Sequence, residues 1–478
     1  MVLNKLKYVF LLGIGGIGMS NLARYFKFMG IWVGGYDRTS TPLTREMEDE
    51  GMDILYDDEP NLLPGFLEKP GDQTLIIYTP SIPAHNRIKN TLLERGFELN
   101  KRSLVLGKIC ANRKVLAVAG THGKTTTSTL LSHLLKVGGI DCISFLGGIS
   151  TNYKTNFLPG YSPYAVVEAD EYDRSFLTLF PDKAIITSMD ADHLDIYGTL
   201  ENMVAAFNLF ANQVKEDGFL LTRKDLPVMR EHFEYTLEPE AAHGKPDLIR
   251  AKNIRVKEEV FLFDYLGRKT QIKDIPLHTP GYHNIENALA AITLCLELGI
   301  PAKKIKKGMD TFTGVKRRFE YLVKGKHQIY IDDYAHHQDE LTAFLKTVRL
   351  LYPQKHIAAI FQPHLFSRTR DFFREMAQSL SLVDELFLMN IYPAREEPME
   401  GISSQLILDS VSISRKWILE PSEILSRISR EKTEVVLTIG AGDVDKLVKP
   451  LQEILVGKEV LDSEKNRGQE PQEGGFQP

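Results

Sequence analysis

Residues 115–130, VLAVAGTHGKTTTSTL, limit what this chain can fold into more than any other stretch. The apolar run Val115 to Ala119 reads as a buried strand. It breaks into a turn holding Gly120 and Gly123, then passes through Lys124 and three threonines into a Ser/Leu-rich helical pattern. Strand, glycine turn and helix in that order belong to an α/β fold with a mostly parallel sheet. Backbone N–H groups released by the turn, with the positive end of the helix dipole, make a seat for phosphate. Lys124 can reach a terminal phosphate, and the Thr125 hydroxyl suits Mg²⁺. Val118 stands where the general phosphate loop has its first glycine, so this is a shortened loop with His122 inside it, pointing to a subset of ATP users. An ordinary strand–helix turn is the alternative, but turn chemistry alone seldom produces paired glycines followed by Lys-Thr.

A chain of 478 residues exceeds one hydrophobic core, so several domains are expected. The formal net charge of -5 leaves no general basic footprint and argues against nucleic acid as the main partner. Cys110, Cys142 and Cys295 are far apart and form no metal-like pair, as expected of buried thiols in a reducing compartment. No apolar run reaches the roughly 18 residues that span a bilayer, and the first apolar strand runs straight into glycines without signal-peptide architecture. The expectation is a soluble cytoplasmic protein with no membrane partner, a monomer or weak homodimer.

Near the N-terminus, Tyr8 to Leu12 reads as a strand, Gly13, Gly15 and Gly18 form GxGxxG, and Leu22, Tyr25, Phe26 and Met29 recur at helical spacing. A second strand ends at Asp37, about twenty residues beyond the glycines, where it suits a ribose hydroxyl. The glycines specify close approach of a diphosphate, and a UDP-sugar meets that as well as NAD does. The strand Leu75 to Tyr78 ends in a turn, Thr79 to Pro83, facing the same crevice.

Beyond the phosphate loop, GGISTNY from Gly147 reads as a polar glycine turn. In YAVVEADEYDRSFL an apolar strand delivers Glu168, Asp170, Glu171 and Asp173, and alternation puts Glu168 and Asp170 on one face. Acids at a strand end, beside a phosphate-loop threonine, suit Mg²⁺ better than a solvated turn. A third strand, Lys183 to Thr187, runs into Asp190, Asp192, His193 and Asp195, suited to a second divalent ion or to the transferred phosphate. Residues 217–275 read as β-rich hairpins, and His283, Asn284 and Asn287 stand at a helix start. Past residue 314 come the basic run Lys316 to Arg318 and then alternating strands and helices, Asp339 to Leu351 and Phe372 to Leu382 among the helices, a further doubly wound unit. There QPHLFSRTRDF sets His364, Arg368 and Arg370 at a strand end, suited to gripping a small carboxylate.

AGTHGKTTT, EADEYD and DADHLDIYG, in this order and spacing, resemble the ATP-dependent Mur ligases of peptidoglycan synthesis. The likeness runs from about residue 8 to residue 455. It implies three domains: a Rossmann-like UDP-binding domain (1–108), a central ATP-binding domain (109–314) and a Rossmann-like amino-acid-binding domain (315–460), with a disordered tail at 461–478. GIGGIGMS at the N-terminus resembles the branch that joins L-alanine to UDP-N-acetylmuramate. The resemblance implies that Gly120, Thr121, His122, Gly123, Lys124, Thr125 and Thr126 hold the ATP phosphates. It gives His283, Asn284 and Asn287 to the adenosine and Arg318 to the phosphates again. Thr125, Glu168 and His193 would hold Mg²⁺. Gly15, Gly16, Ile17, Gly18, Met19, Ser20, Asp37 and Ser81 would receive the UDP part, and Tyr334, His336, His364 and Arg368 the amino acid. Lys124, His193, His336 and Arg368 are the catalytic candidates. Phe207 stands where later-acting relatives carry a carbamoylated lysine, as the alanine-adding branch does without one, and Leu365 replaces the family's usual arginine after the first histidine. The alternatives are the recycling ligase that attaches a murein peptide to the same sugar and a nucleotide-binding regulator without turnover.

Overall fold

A computed structural model describes residues 3–190, 194–237, 247–268, 270–394, 396–431 and 433–467, without the side chains of Leu3, Leu194, Asp195 and 461–467. The chain packs as two compact units. The first runs to Arg255 and adds Leu262–His278 and Asn284–Thr313; the second holds Val256–Phe261, Thr279–His283 and the chain from Gly314 onward.

The first unit contains a five-stranded parallel sheet in the order Asp53–Leu55, Trp32–Tyr36, Tyr8–Leu12, Thr74–Tyr78, Leu99–Lys101. Tyr8–Leu12 lies between strands that follow it in sequence on opposite sides, so the chain reverses its winding there. Loops at the carboxyl ends of adjacent strands on either side of such a reversal splay apart and leave a crevice. The glycine turn after Leu12, Asp37 after Tyr36 and the Thr79–Pro83 turn after Tyr78 meet at that place.

A second sheet repeats the arrangement. Lys114–Ala119 sits between Tyr164–Glu168 and Lys183–Ile186, parallel to both. The strands Phe219–Arg223, Phe233–Thr236 and Ile249–Lys257 continue the sheet in parallel beyond Lys183–Ile186. Val260–Leu266 and Gln271–Leu277 follow at its edge as sequential neighbours joined by short connections, so the hairpins expected between 217 and 275 occur in the second half of that stretch and not in the first. Ile143–Ser150 and Thr155–Leu158 complete the opposite edge. Gly147 lies inside Ile143–Ser150, so the glycines of GGISTNY end a strand and the turn falls on Thr151–Lys154. Val115 to Ala119 are fully buried, as a strand covered on both faces requires.

The helix Ile17–Phe28 that opens on the first glycine turn buries every residue from Met19 to Phe26. One face lies on its own sheet and the other on Ile143–Ser150 and Thr155–Leu158. Arg24, 6% exposed, is clamped by Glu50 (2.7 Å) and the Asn156 side-chain oxygen (2.6 Å). Asn156 in turn donates to Ile17 O and Ser20 Oγ, and Asn21 donates to Leu146 O. The first two sheets are thereby joined through buried polar contacts as well as apolar packing. Residue 108 lies within the helix Arg102–Cys110.

The second unit holds a six-stranded sheet in the order Glu320–Lys324, Ile329–Asp333, Val435–Ile439, Ile357–Phe361, Glu385–Leu388, Lys416–Ile418. Only the edge pair Glu320–Lys324 with Ile329–Asp333 is antiparallel. The helix expected from Phe372 begins earlier, at Phe366, with a break in its geometry at Phe372. The last helix, Val448–Arg467, continues into the segment expected to be a tail, and 468–478 lie outside the described residues. Cys110, Cys142 and Cys295 are buried free thiols. Among the described residues no helix is long and apolar enough to cross a membrane.

Candidate active site

At the carboxyl end of Lys114–Ala119 the chain turns through Gly120 at φ +135° and Gly123 at φ +83°. Side chains are excluded at both for a further reason. A Cβ on Gly120 would strike the Thr187 hydroxyl, and one on Gly123 would meet Asn287 Oδ1 at 2.5 Å. The turn is tied to the neighbouring strand end: Ser188 Oγ accepts from His122 N (2.7 Å) and pairs with Thr121 Oγ1 (2.8 Å), which also accepts from Asp190 N (3.0 Å). Lys124 then opens the helix Lys124–Gly138, whose first turn points its N–H groups into the loop.

Glu168, the last residue of Tyr164–Glu168, reaches across to this helix. Its Oε1 accepts from Thr125 Oγ1 (3.0 Å), and Oε2 from Gly147 N (2.9 Å) and Ser128 Oγ (3.4 Å). A Cβ on Gly147 would fall inside the carboxylate, so that glycine makes the space Glu168 occupies. Burial raises the Glu168 pKa, against the pull of Lys124 and the hydrogen bonds from Thr125 and Gly147. A hydroxyl and a carboxylate meeting beside a phosphate seat are the hard oxygen donors Mg²⁺ takes. Asp170 lies just past the strand end, where it pairs with Arg102 at 3.2 Å and its charge helps to raise the Glu168 pKa. The expected role of His193 falls outside the described residues, as does Asp192. Among the described residues no group of three or more acidic, histidine or cysteine side chains could hold a metal.

Asn284 and Asn287 are buried beside the phosphate loop, with Asn287 Nδ2 donating to Asn284 Oδ1 (3.1 Å). Around the first glycine turn, Gly16 and Ile17 are exposed and Gly15 and Gly18 half-buried. Asp37 Oδ2 accepts from Gly15 N (2.9 Å), so in this structure the acid braces the turn. Met19 and Ser20, read as substrate contacts, are buried instead. Met19 lies in the core and the Ser20 hydroxyl is committed to Ile17 O and Asn156, because this helix is covered on two faces. Ser81 stands in the turn beside Gly13, where a Cβ would meet Thr79.

The second unit gathers its own constellation. His336 and His364 meet edge to face with ring centroids 5.4 Å apart, His364 stacks on Tyr392, and Tyr334 closes on His336 at 5.3 Å. Arg318 lies over the Tyr334 ring and 3.9 Å from Glu340, whose other oxygen is 3.5 Å from His336 Nδ1. Burial holds His336 below the usual imidazole range, opposed by Glu340, and its Nδ1 is 2.9 Å from Tyr334 O. A neutral ring that donates from Nδ1 to that carbonyl keeps Nε2 as its basic nitrogen. Asp333 accepts from Phe319 N (2.7 Å) and Ala335 N (2.8 Å). Leu365 stands at the start of the Phe366–Leu380 helix with φ 72°.

Sequence reading passed over Ser188, Arg24 and Glu340, which have no local signature. It grouped Glu171 with the acids suited to Mg²⁺ and did not foresee that its buried side chain pairs with Lys124.

Parallel α/β sheets with a shortened phosphate loop, facing an acid on the next strand, define a P-loop nucleotide-using class of protein. Residues 9–114 match the model of the Mur ligase family catalytic domain, 118–295 the Mur ligase middle domain, and 317–442 the Mur ligase glutamate ligase domain. The chain belongs to the Mur ligase family. A UDP-N-acetylmuramate–L-alanine ligase of Christiangramia forsetii is 44% identical over 454 residues, 95% of this chain and 99% of the relative. One of Parabacteroides distasonis is 45% identical over 456 residues, 95% and 98%. The crystal structure of UDP-N-acetylmuramate-alanine ligase from Thermotoga maritima superposes with TM-score 0.80 at 26% identity, covering 94% of this chain and 99% of that one. A murein peptide ligase from Psychrobacter arcticus shares the fold, with TM-score 0.68 at 21% identity over 94% and 98%.

Proposed function

We infer that this chain is an ATP-dependent ligase of peptidoglycan synthesis that joins L-alanine to the lactyl carboxylate of UDP-N-acetylmuramate, releasing ADP and phosphate. One observation carries the chemistry: the Thr125 hydroxyl and the Glu168 carboxylate meet at 3.0 Å beside the phosphate loop. The choice of substrates is supported by the 44% identity to an L-alanine ligase across 95% of the chain.

A carboxylate and an amine do not condense in water, so the carboxylate is first phosphorylated by ATP to an acyl phosphate. Lys124 and the N–H groups of the loop offset charge on the phosphoryl group as it moves. Thr125 and Glu168 are the residues to hold Mg²⁺, with His193 assigned to a second ion; the bound metal neutralises phosphate charge. Arg318 adds a cation to the phosphates, and His283, Asn284 and Asn287 take the adenosine. The UDP part lies on the turn Gly15–Gly18, with Asp37 and Ser81 at its sides. In the third domain Arg368 and His364 grip the alanine carboxylate, Tyr334 lines the site, and Nε2 of neutral His336 takes the proton as the amine attacks. The domains divide at about residues 108 and 314. Excluding water protects the acyl phosphate from hydrolysis. ATP and UDP-sugars place the reaction in the cytosol, with the enzyme a monomer or weak homodimer.

The test is phosphate release from ATP and Mg²⁺ with UDP-N-acetylmuramate, comparing L-alanine, a murein tripeptide and no acceptor. Release that requires both the sugar and L-alanine is expected. Turnover with the peptide alone identifies a recycling ligase, and UDP-sugar binding without turnover a regulator.

A further inference from the structure

We propose that Glu171 is a positioning residue that anchors Lys124, so that the ammonium meets the transferring phosphoryl group from one fixed side. The proposal rests on the nucleotide-using reading above. Lys124 Nζ donates to Gly120 O (2.5 Å), Thr121 O (3.3 Å) and Glu171 Oε1 (2.8 Å). An ammonium has three N–H donors, and these three bonds engage them all. A phosphate can therefore gain a bond from Lys124 only by replacing one of the three.

The partners are unequal. The carbonyls are neutral and belong to the turn where phosphate sits. Glu171 is an acid paired with the ammonium at 2.8 Å, and its side chain is 1% exposed. Withdrawing the ammonium from a buried carboxylate costs far more than giving up a bond to a neutral carbonyl. The phosphate thus displaces a carbonyl, and the bond to Glu171 persists through the reaction. Glu171 is itself well held: its backbone carbonyl accepts from the Tyr197 hydroxyl (2.6 Å) and from Arg174 N (2.9 Å). A rigid anchor of this kind aims a flexible four-carbon side chain that the helix start alone leaves mobile.

The experiment compares wild type with Glu171→Gln and Glu171→Asp. Affinities for ADP and for β,γ-methylene ATP are measured by titration calorimetry with Mg²⁺, alongside phosphate release. Glu171→Gln keeps the shape and removes the charge. It should lower the preference for the triphosphate over ADP by about tenfold, with kcat falling at least as much and KM for ATP changing less. Glu171→Asp, which keeps the charge on a shorter arm, should recover part of both. An unchanged triphosphate preference in folded Glu171→Gln overturns the proposal. So does a tighter grip on both nucleotides, which would make the pair a latch that holds the lysine back. Should Glu171→Gln fail to fold, a wild-type preference in Glu171→Asp with unaltered kcat overturns it as well. Wild-type phosphate release that ignores L-alanine counts against the ligase reading and leaves the affinity ratio to judge Glu171.

Discussion

Leu365 has φ 72° and ψ 136°, a backbone region that glycine enters freely and an L side chain does not. It stands between His364 and the helix that carries Arg368, so the strain is spent on setting the two side chains at one strand end. Leu365→Gly relieves the strain but adds backbone freedom to the unfolded chain and loses half-buried packing. The expected net gain is no more than about 1 kcal/mol in urea unfolding, accompanied by weaker L-alanine binding. At the phosphate loop, Thr125→Val removes the hydroxyl that meets Glu168. A fall in kcat of about 100-fold is expected in the phosphate-release assay, with stability changed by under about 1 kcal/mol. Gly147→Ala probes the same pair from behind, because its Cβ would lie inside the Glu168 carboxylate. It should cost about tenfold or more in kcat although the substitution touches no substrate.

The helix Ile17–Phe28 is the element on which the first unit depends. It opens on the glycine turn, packs on two sheets, and carries Arg24 as a buried cation between Glu50 and Asn156. Arg24→Ala leaves the Asn156 oxygen without that donor and the half-exposed Glu50 without its cation. Destabilisation of about 2 kcal/mol is expected, below the full value for a buried pair because Glu50 is 40% exposed. Urea denaturation followed by tryptophan fluorescence, with Trp32 in this unit, measures it. The helix Pro42–Asp49 shows a simpler dependence: Thr41 caps it in a reciprocal capping box with Thr44, and Pro42 occupies its first turn.

The molecule divides its groups between two units, and the division gives the second one a pH signature. Burial, opposed by Arg318 and two backbone N–H groups, pushes Asp333 up from 3.8 to about 7. A carboxyl raised in the folded state holds a proton there that the unfolded chain has released. Its contribution is complete below about pH 4 and is lost as pH climbs through 7. Between pH 5.5 and 8, wild type should therefore lose about 2 kcal/mol relative to Asp333→Asn, the comparison removing titrations common to both proteins. Urea unfolding of the two proteins at both pH values measures the difference; parallel changes would place the Asp333 pKa in the ordinary range.

The strands, the phosphate loop and the order of the acidic loops were legible in the residues, because hydrophobic runs and glycine spacing are local properties that each segment carries with it. Family resemblance added three domains and substrates from AGTHGKTTT, EADEYD and DADHLDIYG. Boundaries were less legible: the helix expected at Phe372 starts at Phe366, and the glycines of GGISTNY end a strand before the turn at Thr151–Lys154, since glycine signals a turn only where no neighbouring backbone needs its space. Local spacing did not foresee that Asp170, past the strand end, pairs with Arg102. Ser20, a contact the resemblance implied, is buried where a second sheet covers its helix. The partners of Glu171 and Arg24 were hidden for a related reason, since those pairings follow from burial beside one particular residue far off in the chain. Sequence periodicity determines which face of an element is apolar; which elements cover that face, and which charge is left inside, depends on how the sheets stack.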